Sequence, residues 1–110
     1  QSNATAPVYT ISDIRASVEP AVQATGTEIS FTKTEIYNTS SAPATGNITN
    51  DLTGAQLGIV QKIYHNAGTS PTVPAGWVLI GSGTYTTSAL NLIFAEWAGG
   101  TRVEYWIVST

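Results

Sequence analysis

Between Leu90 and Val108 the chain reads LNLIFAEWAGGTRVEYWIV, two runs of apolar and β-branched residues on either side of Gly99–Gly100. Alternation with period two and a central Gly-Gly pair predict a β-hairpin, because both central residues of a tight primed turn need positive φ. A two-residue turn there would set Ala98 opposite Thr101, Trp97 opposite Arg102, Phe94 opposite Tyr105 and Ile93 opposite Trp106. One face of the hairpin then carries Leu90, Leu92, Phe94, Val103, Tyr105 and Ile107, an ordinary core face. The other carries Ile93, Ala95, Trp97 and Trp106, with Arg102 and Glu104 nearer the turn. A solvated face should be polar, so a hairpin with two apolar faces demands a second cover: another sheet, a ligand or another subunit. Ile93, Trp97 and Trp106 are the residues this register offers as a subunit interface.

The rest of the chain is consistent with an all-β domain. Seventeen Thr and ten Ser stand among many Val and Ile, and β-branched chains suit a pleated, half-buried surface. Residues 1–4, QSNA, look like the remnant of an expression tag, leaving residues 5–110 as a single β-sandwich domain. Residues 5–27 read as a short strand over VYTISDI followed by a strand or an irregular arm. From Glu28 the alternation of Ile29, Phe31 and Tyr37 predicts one half-buried strand. NITNDL, LGIVQKIYHN and WVLIG follow as strands, with YTTSA as a short strand or bend, separated by NTSSAPATG, AGTSPTVPAG and GSGT. Turns at such short spacing suit a sandwich of jelly-roll type rather than a βαβ fold.

Charge and residue chemistry narrow the function. Only 10% of residues are charged, against roughly 25% in ordinary soluble domains. Arg15, Lys33, Lys62 and Arg102 are scattered, with a net charge of −3, so no basic stripe offers itself to nucleic acid. No apolar run approaches the ~20 residues that cross a bilayer as a helix. Cysteine is absent, which removes disulfides and thiolate chemistry, and a small domain without such staples gains from association.

Candidate catalytic groups do not assemble. His65 is the single histidine and has no partner at metal-ligand spacing; no GxSxG elbow is present. Glu96 and Glu104 point to opposite faces in the expected register, which argues against a glycosidase pair. No cofactor or metal motif is present, and the expectation is a chain that is not an enzyme. Trp77, Trp97 and Trp106 suggest core or interface aromatics, with a sugar-stacking platform as the alternative. Asn38 and Asn47 begin N-x-S/T triplets, which matter only in a eukaryotic secretory setting.

The stretch Asp51–Val108, with VQKIYHN, SPTVPAGW, YTTSALNLIFAEW and TRVEYWIV, resembles the C-terminal β domains of bacteriophage fibre and appendage proteins. That resemblance implies a virion structural or adhesion domain, a homotrimer of sandwich subunits packed about a threefold axis, and contact with a glycan or protein receptor on the host surface. Under it, Asn38, Asn66 and Trp77 are the candidate receptor contacts, on or beside the longer loops. The alternative is a secreted carbohydrate-binding module that uses exposed tryptophans. A small glycan-cleaving enzyme has the least support.

Overall fold

The computed structural model describes residues 22–109. Within them the chain forms eight strands and no helix: β1 (Val22–Ala24), β2 (Glu28–Ser30), β3 (Glu35–Tyr37), β4 (Thr49–Asp51), β5 (Val60–His65), β6 (Trp77–Leu79), β7 (Asn91–Trp97) and β8 (Val103–Ser109). The expected VYTISDI strand lies outside the described residues. Six strands make one sheet in the order β1-β3-β5-β7-β8-β6, while β2 and β4 form a second sheet of two.

The first five strands alternate between the two sheets and pair in parallel within each, β1 with β3, β2 with β4, and β3 with β5. β5, β7 and β8 then form an antiparallel meander, and β6 joins β8 in parallel at the sheet's edge. Four of the six ladders are thus parallel, whereas a jelly roll is built from antiparallel Greek keys.

Ile29 and Phe31 from the two-stranded side, with Ile48, meet Tyr37, Ile63, Ile93, Ala95, Val103 and Trp77 from the larger sheet in one core. Phe31 and Trp77 pack edge to face at 6.4 Å, and the Trp77 and Tyr105 rings lie 5.6 Å apart, a geometry that adds to simple area burial. The single strand expected from Glu28 to Tyr37 is in fact two strands in different sheets. Their alternation still buries Ile29, Phe31 and Tyr37, because both sheets face the same core.

Across that break lies Gln61 on β5, a fully buried amide. Its side chain donates to the carbonyls of Ser30 and Lys33 and accepts the N–H of Glu35 at 2.7 Å. The amide thereby satisfies main-chain groups that the change of sheet takes out of the ladders. Glycine permits two further close approaches. A Cβ on Gly76, at φ 93°, or on Gly83 would collide with the main-chain carbonyl of Thr101 or Ile107 respectively.

The terminal hairpin differs from expectation by one residue. Ala98 donates to the Arg102 carbonyl at 2.8 Å, and Arg102 donates to the Gly99 carbonyl at 2.9 Å. The loop therefore contains Gly99, Gly100 and Thr101, not two glycines alone. Both glycines have positive φ, 104° and 57°. The ladder consequently pairs Trp97 with Val103, Ala95 with Tyr105, Phe94 with Trp106 and Ile93 with Ile107. A shift of one residue exchanges the face on which a strand's side chains lie relative to its partner. Ile93 and Ile107 accordingly share the inner face, and Phe94 and Trp106 share the outer one.

Truncating Gln61 tests the role of its amide. Gln61→Ala takes this partner from the main-chain groups of Ser30, Lys33 and Glu35 and empties a fully buried side-chain position, and it should destabilise the fold by about 2 kcal/mol, read as a lower urea midpoint at unchanged slope.

Candidate binding surface

The outer face of the large sheet is built in three cross-strand rows. Tyr64, Leu92 and Val108 form the row furthest from the hairpin loop; Ile36, Lys62, Phe94 and Trp106 form the middle row; Val60, Glu96, Glu104 and Val78 form the row nearest it. None of these residues is fully buried. The inner face has consumed Gln61, Ile63, His65, Asn91, Ile93, Ala95 and Val103, so the sheet has one face covered by its own chain and one apolar face that remains half open. Two apolar faces in the sequence thus correspond to one core face and one outward face.

Aromatic rings dominate the outward side. Phe94 and Trp106 stack with centroids 5.7 Å apart and planes inclined by 14°, which fixes the indole against the sheet and leaves one of its faces turned away from Phe94. Lys62 lays its ammonium over the Tyr64 ring at 4.9 Å, a cation–π contact. Arg102 donates to Glu104 at 2.9 Å near the loop. Beside Trp106, the residues Ile80, Gly81 and Glu96 complete a shallow depression of about 440 Å³.

The residues expected to form a subunit interface do not share a face. Ile93 is 1% exposed and belongs to the core. Trp97 packs against the core from the inner side, and its indole N–H donates to the Gly100 carbonyl at 3.0 Å. Trp106 alone of the three lies on the outer face. The three-residue loop parts Trp106 from the other two by moving β8 one position relative to β7, while Ile93 and Trp97 turn inward because the β7 face that meets the core is that of Ile93 and Ala95 and not, as expected, that of Leu92 and Phe94.

Trp77, expected as a receptor contact, is 8% exposed and sits in the core, its indole N–H without a hydrogen-bond partner among the described residues. Asn38 and Asn66 follow the parallel strands β3 and β5 and are brought to the same end of the sheet, away from the hairpin loop. Asn38 adopts φ 65° and donates from its amide to the Gly26 carbonyl. Glu96 and Glu104, expected on opposite faces, are direct cross-strand partners on the outer face.

Three polar side chains on the inner face escaped the reading of the sequence as sites. Besides Gln61, His65 is fully buried with both ring nitrogens engaged. Nε2 donates to the Gly46 carbonyl at 2.7 Å, and Nδ1 is hydrogen-bonded to the Tyr85 hydroxyl at 2.7 Å. Asn91 donates to the carbonyls of Thr86 and Ala89 and accepts the Thr86 N–H. These residues fasten loops to the sheet, and their polarity within alternating apolar strands is the signal that could have marked them. Among the described residues no three His, Asp or Glu side chains gather in a way that would hold a metal ion. No helix among them is long and apolar enough to cross a membrane.

No protein-family model, curated protein or solved structure matches the chain.

Burial pushes the phenols of Tyr37 and Tyr85 above the ordinary tyrosine value. Folding therefore favours their neutral forms. The stability that this contributes is fully present below about pH 10, the unfolded phenol value, and is lost as pH rises through the raised folded values. An alkaline titration followed by tyrosinate absorbance should show a late-ionising fraction that shrinks in both Tyr37→Phe and Tyr85→Phe. Equal titration of all tyrosines in the folded protein would contradict this.

Proposed function

We propose that the chain is a non-enzymatic structural and adhesion domain of a bacteriophage virion appendage, of tail- or head-fibre type, that associates as a trimer and contacts a receptor on the host surface. The observation that carries this reading is the outward apolar face of the large sheet, above all the row Tyr64, Leu92 and Val108, in which Val108 is 44% exposed. Such a row gains free energy by leaving water, and a small domain benefits from every such contact. The threefold contact is assigned to this row in place of Ile93, Trp97 and Trp106.

Other features support the same reading. Two sheets enclosing one core fit a sandwich-like subunit, although the parallel ladders speak against the jelly-roll form. The alternating, parallel winding of β1 to β5 stacks successive turns along one direction, as suits a module added to a fibre. Solvation by Thr and Ser in place of charge fits a surface held in a multi-copy assembly. The virion is the corresponding location.

A second reading, a secreted carbohydrate-binding module, is favoured by one observation: the outward Trp106 beside Glu96. The pairing of Glu96 with Glu104 also removes the geometric objection to a glycosidase. Yet Glu104 is held by Arg102 and the two carboxylates lie on an open sheet face, where no wall excludes water from a reacting bond.

Light scattering of the purified protein should give three times the chain mass. Leu92→Glu would place an unpaired carboxylate in the contact, at a cost of several kcal/mol, and should yield monomers whose circular dichroism remains that of an all-strand protein. A wild type that scatters as a monomer over a wide concentration range would sink the trimer. Release of nitrophenol from aryl glycosides, abolished by Glu96→Gln, would sink the non-enzymatic assignment.

A further inference from the structure

We infer that the depression formed by Trp106, Ile80, Gly81 and Glu96 binds a neutral pyranoside, with the sugar ring stacked on the Trp106 indole and its hydroxyls donating to the Glu96 carboxylate. This deepens the adhesion reading and rests on it for the source of the ligand, a glycan of the host surface; the site itself rests on its geometry.

Three observations select this ligand chemistry. The first is the platform. Trp106 is immobilised by its stack on Phe94 at 5.7 Å, so one indole face is spent and the other is presented without further ordering cost. A pyranose offers a flat patch of C–H groups that matches such a face, and aromatic side chains combine large contact area with low entropy loss. The second is the acceptor. Glu96 lines the depression and makes no side-chain hydrogen bond or ion pair among the described residues. Its neighbour Glu104, by contrast, is satisfied by Arg102. A free carboxylate at the margin of an aromatic platform accepts two hydroxyl protons at once, as charge-assisted hydrogen bonds.

The third is the size and shape of the place. The depression is shallow and open to solvent, room for one ring laid flat on the indole but not for a ligand enclosed on several sides. Gly81 borders it with φ 79° and open space where a side chain would stand, which leaves main-chain groups within reach of a ligand.

The same features disfavour other occupants. An anion would meet Glu96 with Glu104 directly opposite. A quaternary ammonium is held by a cage of several rings, whereas only Trp106 among the lining residues is aromatic. A second copy of the chain fits the row Tyr64, Leu92 and Val108 better, because that row carries no carboxylate. The trimer contact and the sugar site thus occupy different parts of one face.

The test is a titration of the full chain, at its native oligomeric state, with methyl pyranosides of glucose, galactose, mannose and N-acetylglucosamine. Each is taken to about 50 mM, well above the millimolar dissociation constant typical of one exposed stacking site. Indole and amide resonances are followed, with tetramethylammonium as a competitor. At least one sugar should shift the Trp106 indole and the amides of Ile80 and Gly81 in a saturable way. Glu96→Gln, which keeps the shape of the site, should weaken that binding about tenfold, and Trp106→Ala should abolish it.

Absence of saturable shifts with all four sugars overturns the inference, as do shifts confined to the Asn38 and Asn66 end or displacement of the sugar by tetramethylammonium. Equal affinity in wild type and Glu96→Gln overturns the role of the carboxylate. Light scattering on the same samples separates the two readings. An intact trimer without sugar shifts sinks only the saccharide site, and a monomer that binds sugar sinks only the trimer.

Discussion

The hydrogen bond from the Ala98 N–H to the Arg102 carbonyl closes a loop of three residues and sets the register of β7 against β8 along their whole length. It decides which side chains of β8, and of β6 paired with it, share a face with those of β7. Because β5 pairs with β7, β3 with β5, and β6 with β8, the same bond aligns the rows on which Lys62, Trp106 and Val78 lie. Were Thr101 drawn out of the loop into β8, opposite Ala98, the turn would hold two glycines alone and the faces of β8 would exchange relative to β7. Tyr105 and Ile107 would then leave the core while Trp106 entered it. The glycines make the turn sterically possible, but the number of residues between Ala98 and Arg102 decides its consequences.

Inside the sheet, stability without disulfides comes from an apolar core crossed by a few satisfied polar groups. Gln61, His65 and Asn91 lie on the inner face, each fully buried and each bonded to main chain outside its own strand. Burying such groups is costly unless they are paired, and here they serve main-chain groups that have no ladder partner. Gln61 does so where the chain changes sheets. His65 ties Gly46 and Tyr85 to β5, and Asn91 ties the 86–89 turn to β7. Long irregular connections therefore lie against the core without leaving their amides unsatisfied. Trp77 is the exception, with a buried indole N–H that has no partner among the described residues.

The sequence made legible whatever depends on local periodicity. Alternation in LGIVQKIYHN and in the two runs about Gly99–Gly100 marked the three long strands, and Ile29, Phe31 and Tyr37 were readable as one buried parity. Pairing was not legible, because parallel neighbours such as β1 and β3 are brought together by the path of the chain through another sheet and carry no turn signal. The Glu28–Tyr37 segment kept a single parity while its backbone broke, since two sheets facing one core preserve the alternation. Loop length was invisible for a different reason. Gly-Gly satisfies the positive φ of a two-residue turn and of a three-residue loop alike, so Thr101 could be placed in either strand or loop. From that one ambiguity came the misplacement of Trp106 relative to Ile93 and Trp97, and of Glu96 relative to Glu104. Trp77 was ambiguous because an aromatic beginning a short edge strand reads the same whether it turns inward or out.

The outward face therefore carries the functional account. The proposed trimer contact uses its apolar row far from the loop, and the proposed saccharide site uses its aromatic depression. Both depend on Trp106 lying outward and Ile93 inward. The most direct measurement is the set of cross-strand NOEs between α-protons in the terminal hairpin. The Ala98–Arg102 bond makes Ala95–Tyr105 and Ile93–Ile107 non-hydrogen-bonded pairs, whose backbones approach most closely. Strong contacts between the α-protons of Ala95 and Tyr105 and of Ile93 and Ile107 are the predicted result. Contacts from Ile93 to Trp106 would instead establish the two-residue turn and contradict the assignment of both faces.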